Sequence, residues 1–319
     1  MRKTFTTQPA LFVPPDLYEH AALQALDGVE ALIDWSRLEG LLTDSGGKQQ
    51  TGRLGYPVLT LFRALLLGQW YRLSDVRLSA QLARDLLFRK FCRLELDQGV
   101  PDATTLGRFR SGQGERLDAC LAAVVTMLEE RHVILAEGRV AIVDATAVEA
   151  AQSGVQHADP DAGAHVKLDG KGRTRAVWGY QAFVNADEDG FVRRIAVSPG
   201  NRAEVDSLED LVVDDETALF ADAAYIGPRT RALLQRHAMA DRVQRRGARG
   251  HPLAPHDRAR NIEIGITRGR VEAIFGHWKR LWGLRRSRFM GITRTRIQIA
   301  ITAIGWNLWK GARFQRLYG

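Results

Sequence analysis

The stretch Arg139-Val-Ala-Ile-Val-Asp-Ala-Thr-Ala-Val148 is β-branched and apolar on both faces, which is how a buried central strand reads. A second run of this kind is Ala218-Leu-Phe-Ala-Asp-Ala-Ala-Tyr225. Between them, Val177 to Asn185 and Phe191 to Val197 flank Asp187-Glu-Asp-Gly190, a hairpin signal. Helices are predicted over 202–213 and from Gly227-Pro228 through His237, and Arg242-Val-Gln244 reads as a last short strand. The segment 151–174, rich in Gly, Ala, Asp and His, reads as a loop. Strand, strand, strand, helix, strand, helix, strand, helix predicts an α/β fold with a mixed sheet in three layers.

Upstream the pattern is helical. A helix is predicted over Pro57 to Tyr71, opening on a proline suited to a first turn, and another over Ser74 to Cys92. A short helix follows in Val100-Pro-Asp-Ala-Thr-Thr-Leu-Gly-Arg-Phe-Arg110, where Asp102 or Thr104 supplies the cap, and a longer one spans Gly114 to Arg131. Short helix, turn, helix with Arg108 and Arg110 exposed fits a helix-turn-helix and equally a small helical bundle. The 319 residues divide into an all-helical domain over 1–135 and an α/β domain over 136–319.

At 45% hydrophobic and 26% charged residues, the chain is too apolar for a disordered one and ordinary for a globular one. Cys92 and Cys120 are too few for a disulfide framework or a cysteine zinc site and read as small core residues in a reducing cytoplasm. Thr, Gln and Pro interrupt the N-terminal stretch, so no signal peptide is expected, and no apolar run reaches membrane-spanning length. The net charge of +8 is unevenly spread. Residues 1–226 carry 24 basic and 33 acidic side chains, whereas residues 227–319 carry 21 basic and 4 acidic. A segment that basic repels itself unless a polyanion neutralises it. The run Arg285-Arg-Ser-Arg-Phe-Met-Gly-Ile-Thr-Arg-Thr-Arg296, with Arg285, Arg286 and Arg288 at its head, therefore points to contact with a nucleic-acid backbone.

Three carboxylates stand out. Asp144 and Asp222 each interrupt an apolar strand near its end, where a charge is costly unless paired or bound to a cation. Each alone reads as a strand-end turn cap; on neighbouring strands they form a candidate divalent-metal pair. The third, Glu272, lies in Thr267-Arg-Gly-Arg-Val-Glu-Ala-Ile-Phe-Gly-His-Trp-Lys-Arg-Leu-Trp-Gly283. On a helical wheel Arg268, Glu272 and Lys279 fall within about 40° of one another, at the edge of a stripe formed by Val271, Ile274, Phe275, Trp278, Leu281 and Trp282. Arg268 and Glu272 also suit a surface i, i+4 ion pair. Against that, Glu272 is the only acid from Arg268 to the C-terminus, among 12 Lys and Arg.

These residues resemble the DDE transposases of bacterial insertion sequences, in the branch grouping the insertion sequence 4 and insertion sequence 5 types. Arg268, Glu272 and Lys279 match the family's Y-(2)-R-(3)-E-(6)-K signature in register, with Gly265 at the tyrosine position. Asp144-Ala-Thr146, Gly179-Tyr-Gln181, Ala196-Val-Ser-Pro-Gly-Asn201, Ala221-Asp-Ala-Ala-Tyr225 and Arg270-Val-Glu-Ala-Ile-Phe-Gly276 are similar to that family too. So is the helical region 54–110.

The resemblance implies a ribonuclease-H-like catalytic core in which Asp144, Asp222 and Glu272 hold two Mg²⁺ or Mn²⁺ ions. It implies hydrolytic cleavage at the element ends, exposing 3′-OH groups that then join target DNA. Arg268 and Lys279 would grip phosphates beside the cleaved bond, with Arg270, Arg285, Arg286, Arg288, Arg108 and Arg110 as further DNA contacts. It also implies binding to terminal inverted repeats, a homodimer in the DNA complex, and a cytoplasmic, nucleoid-associated location. Gly265 leaves open whether the second strand is cut through a hairpin. The residues alone also admit a DNA-binding protein without catalysis, and a ribonuclease-H-like nuclease without strand transfer.

The histidines form no trusted metal spacing: His251 and His256 read as solvated loop, as do His157 and His165. Tyr225 reads as core packing rather than base stacking, and Trp306, Trp309 and Phe314 as core or a subunit contact.

Overall fold

The structure is a computed structural model that describes residues 19–43, 55–134, 139–151, 159–168, 174–248 and 250–318. The first 18 residues, the junction expected at 135/136 and His157 lie outside the described residues. Among the described residues, seven α-helices precede the first strand: α1 (Asp27–Glu30), α2 (Trp35–Leu42), α3 (Val58–Trp70), α4 (Asp75–Arg84), α5 (Leu86–Cys92), α6 (Ala103–Ser111) and α7 (Arg116–Glu130). Helix α3 buries every residue from Thr60 to Gln69, as a helix apolar all round must. The single helix predicted over Ser74 to Cys92 is two. Asp85 is extended (φ −111°, ψ 116°) and its carboxylate accepts from Phe88 N, ending α4 and capping α5. Asp102 caps α6, its Oδ1 accepting from Thr105 N at 2.7 Å.

The strands are β1 (Val140–Glu149), β2 (Gly163–Leu168), β3 (Thr174–Ala186), β4 (Val192–Pro199), β5 (Ala218–Ala221) and β6 (Ala240–Val243). The sheet runs β2-β3-β1-β5-β6, and β4 pairs with the C-terminal half of β3. Strand β3 is antiparallel to β1, β2 and β4, whereas β1, β5 and β6 are parallel. The antiparallel strands β1–β4, continued by β5 and β6 parallel to β1, give the mixed sheet expected of a ribonuclease-H-like core.

Four expectations are corrected. The segment 151–174 contains β2, whose Gly, Ala and His residues carry little strand signal and are held by pairing with the N-terminal half of β3. The helix predicted over 202–213 shrinks to a 3-10 turn, Glu204–Ser207, and α8 (Leu208–Leu211), in a segment whose β-branched Val205, Val212 and Val213 weaken helix formation. The strand read through Tyr225 stops at Ala221, where Asp222 caps a 3-10 turn over Ala223–Tyr225. After α9 (Pro228–Arg236) comes α10 (Pro255–Arg280), which starts inside the predicted basic loop with Pro255 in its first turn. Thus His256 is helical. Helix α11 (Ile292–Tyr318) ends the chain.

Along β1, alternate side chains enter opposite layers. Ile142 and Val148 join a core cluster shared with α10 and α11, while Ala141, Val143 and Ala145 join a second cluster with Leu211, Tyr225, Leu233 and Leu234. Asp144 has the parity of Ile142 and faces the α10 side. The first cluster also takes in Leu32, Phe62 and Leu66 of the N-terminal helices, so one hydrophobic core joins the helical region to the sheet. Cys92, Cys120 and Trp306 are buried in it, and Phe314 is exposed.

Candidate active site

Strand register brings the two aspartates together. The last parallel couple of β1 and β5 is Ile142 with Phe220. Two residues further along each chain stand Asp144 and Asp222, at the same level of neighbouring strands. Asp222 does cap a turn, its Oδ1 accepting from Ala224 N at 2.8 Å. Asp144 Oδ1 accepts from Ala145 N at 2.8 Å and its Oδ2 accepts from Arg268 Nη2 at 2.9 Å. Capping and convergence coexist.

A third carboxylate meets them, and it is Glu204. Among the described residues, Asp144, Glu204 and Asp222 form the group of acidic side chains whose ligand oxygens all lie within 4.8 Å of one another. Glu204 arrives on the loop that follows β4, and that loop is tightly held. The buried Gln181 amide donates to Gly200 O at 2.8 Å and to Arg202 O at 3.0 Å. Gly179 lets β3 approach β1 closely, since a Cβ there would lie 2.1 Å from Val148 O. The sequence reading missed Glu204 because it placed this residue in an ordinary acidic helix. The signal was its position three residues past the Ser198-Pro-Gly-Asn201 motif.

Beneath the carboxylates lies Tyr225, fully buried, with its ring in the second core cluster and its hydroxyl without a hydrogen-bond partner among the described residues. Burial, then the charges of Glu204, Asp144 and Asp222, hold its pKa well above the ordinary phenol range, with Arg268 acting the other way.

Helix α10 supplies the positive side. Its early turns are strapped to β6: Arg260 donates to Val243 O at 2.7 Å and to Asp241 O at 2.8 Å, and Asn261 exchanges bonds with Arg245. Gln244, anchored on Asn261 O, accepts from Arg268 Nη1 at 3.0 Å. So Arg268 is buried and turned toward Asp144. Glu272 is exposed one turn further along α10, outside the three-carboxylate group. Arg270 is exposed and Lys279 half-buried.

The other basic candidates divide by environment. Arg285 and Arg286 are exposed on a segment that extends the sheet beside β1: Glu149 N donates to Arg285 O at 2.9 Å, Ser287 N donates to Glu149 O at 2.7 Å, and Arg286 pairs with the Glu149 carboxylate at 2.9 Å. Arg288 turns inward and donates to Gly68 O and Leu73 O. Arg108 is exposed, but Arg110 is not: it forms a two-bond pair with Asp75 and stacks on Phe289 at 4.1 Å.

The all-oxygen donor set of Asp144, Glu204 and Asp222 suits a hard divalent cation. A cationic group, the Arg268 guanidinium, already sits against it.

Two family profiles match the sequence. One, described as a transposase DDE domain, covers residues 135–308, and one described as a transposase domain covers residues 17–112. The chain belongs to the DDE transposase family, in the grouping of the insertion sequence 4 and insertion sequence 5 types. No solved structure matches it. No described helix is long and apolar enough to cross a membrane.

Proposed function

We propose that the protein binds the terminal inverted repeats of its element, cleaves DNA at the ends and joins the exposed 3′-OH groups to target DNA. The observation that carries this reading is the convergence of Asp144 on β1 with Asp222 at the end of the neighbouring parallel β5, beside the Arg268, Glu272 and Lys279 row of α10. Asp144, Asp222 and Glu272 would hold two Mg²⁺ or Mn²⁺ ions. When bound, such ions activate the attacking oxygen and neutralise charge on the leaving one.

The chain's own groups do the rest. Water attacks the phosphorus at the element end, the bond to the 3′ oxygen breaks, and that oxygen leaves with a proton as a 3′-OH. The 3′-OH then attacks a target phosphodiester and displaces the target's 3′ oxygen, so one phosphodiester replaces another. Arg268, once released from Asp144, and Lys279 bind the flanking phosphates. Arg270, Arg285 and Arg286 hold the duplex through its backbone, with Arg108 as a contact from the helical region. Synapsis of two ends calls for a homodimer in the DNA complex, and a DNA substrate places the protein at the bacterial nucleoid.

Incubation with Mg²⁺ and a supercoiled plasmid carrying the element ends tests the reading. Nicked and joined products are expected. Absence of nicking sinks the enzymatic reading, and nicking without joined products leaves a nuclease.

A further inference from the structure

We propose that Glu204 is the third ligand of a cation held by the DNA-free protein, so that Asp144, Glu204 and Asp222 form its oxygen cage and the Tyr225 hydroxyl closes it. This deepens the metal-dependent reading above and rests on it.

Four observations support the assignment. First, the three ligand oxygens are mutually within 4.8 Å although their residues come from β1, the loop after β4 and the cap after β5. Ionised carboxylates that close repel one another, and a shared cation relieves the repulsion. Second, the 3-10 turn that starts at Glu204 packs against the turn Ala223–Tyr225, and the Tyr225 hydroxyl, which feels the charge of all three carboxylates, is fully buried without a partner among the described residues. A buried hydroxyl of that kind costs stability unless something arrives to pair with it, and its oxygen lone pairs can serve a cation as a neutral ligand. Third, Glu204 is not placed by accident. The Gln181 amide, 2% exposed, fixes the carbonyls of Gly200 and Arg202 just ahead of it. Gln181 is thus a positioning residue. Fourth, Glu272 is exposed and outside the group, which leaves it to join when DNA occupies the α10 face.

Calorimetric titration of the DNA-free full chain with Mn²⁺, supported by Mn²⁺ spin resonance, tests this. Glu204→Gln should weaken Mn²⁺ binding by about tenfold or more, as Asp144→Asn should. Glu272→Gln should leave it unchanged while abolishing nicking. Tyr225→Phe should weaken binding less than Glu204→Gln. Glu204→Asp, which keeps the charge, should recover part of the loss, separating ligation from a folding defect that thermal melts of the metal-free variants would reveal. Mn²⁺ binding by Glu204→Gln equal to that of the unaltered chain, or a loss confined to Glu272→Gln, overturns the assignment while leaving the metal-dependent reading intact. If the DNA-free chain binds no Mn²⁺, the inference fails by itself, and the plasmid assay decides the broader reading separately.

Discussion

Arg268 Nη2 lies 2.9 Å from Asp144 Oδ2, with the two side chains only 10% and 15% exposed. A guanidinium thus occupies one lone-pair direction of the Asp144 carboxylate. Under the cation binding proposed above, the two positive groups would compete for it, and release of Arg268 would coincide with filling of the site.

Asp144→Asn should reduce nicking by about 10²–10³-fold, the effect of removing one preorganised electrostatic group, while DNA binding survives. It also leaves Arg268 shielded without its counter-charge, which costs about 3–5 kcal/mol when a buried pair loses one partner. Thermal melts should show the loss, and Asp144→Asn combined with Arg268→Gln should recover part of it. Strictly additive effects would mean that the pair is not coupled.

Stability should fall with rising pH through one buried carboxyl just past the end of β3. Burial pushes Asp187 up to about 7, with Asp189 and Glu188 adding to the shift and the Phe191 N–H and Arg193 opposing it. Its Oδ2 has no partner among the described residues, and the Lys310 ammonium feels its charge. The unfolded carboxyl titrates near 3.9, so the folded state holds the extra proton between about pH 4 and 7. The contribution is complete below that window and lost as pH rises through it, at most about 1.4 kcal/mol per pH unit. Melts at pH 5 and pH 8 should differ, and Asp187→Asn should flatten the difference.

The basic residues should separate into two kinds. Replacing Arg270 or Arg285 with Ala should lower the slope of log affinity against log salt by about 1 each, read by DNA binding at several salt concentrations. Arg288→Ala should instead lower the melting temperature, because Arg288 donates to Gly68 O and Leu73 O and fastens the C-terminal segment to α3. Equal salt effects for Arg285 and Arg288 would contradict this division.

Gly179→Ala should destabilise the protein by about 1–3 kcal/mol or more, since a Cβ 2.1 Å from the Val148 carbonyl forces β1 and β3 apart. A melt of the metal-free variant measures it. Gln181→Ala should be milder in stability but should weaken Mn²⁺ binding, because it frees the loop that carries Glu204.

The α/β order of the chain and the meeting of Asp144 with Asp222 are legible in the sequence. Asp144 and Asp222 declare themselves because a carboxylate inside an apolar strand has few innocent explanations, and strand parity then fixes the side they face. The α10 row could be read because helical periodicity is local. Glu204 is harder to read: with Asp206, Glu209 and Asp210 nearby, composition does not separate it, and its place three residues past Ser198-Pro-Gly-Asn201 is the one local cue. Its convergence with Asp144 and Asp222, on a segment that Gln181 holds from β3, singles it out. Arg110 and Arg288 likewise read as exposed from composition, yet Asp75, Phe289 and the carbonyls of Gly68 and Leu73 draw them inward.

The bonding of Arg285 and Ser287 to Glu149 has a metric consequence. Asp144 and Glu149 belong to one strand, so the carboxylate and the docked arginines are about 17 Å apart at roughly 3.3 Å per residue. Sheet hydrogen bonds fix that interval as a ruler does. A duplex lying along it would be held about five base pairs from the point of attack, at roughly 3.4 Å per base pair. Under the proposed reading, cutting position and grip would be indexed to a single strand, and neither could drift without the other.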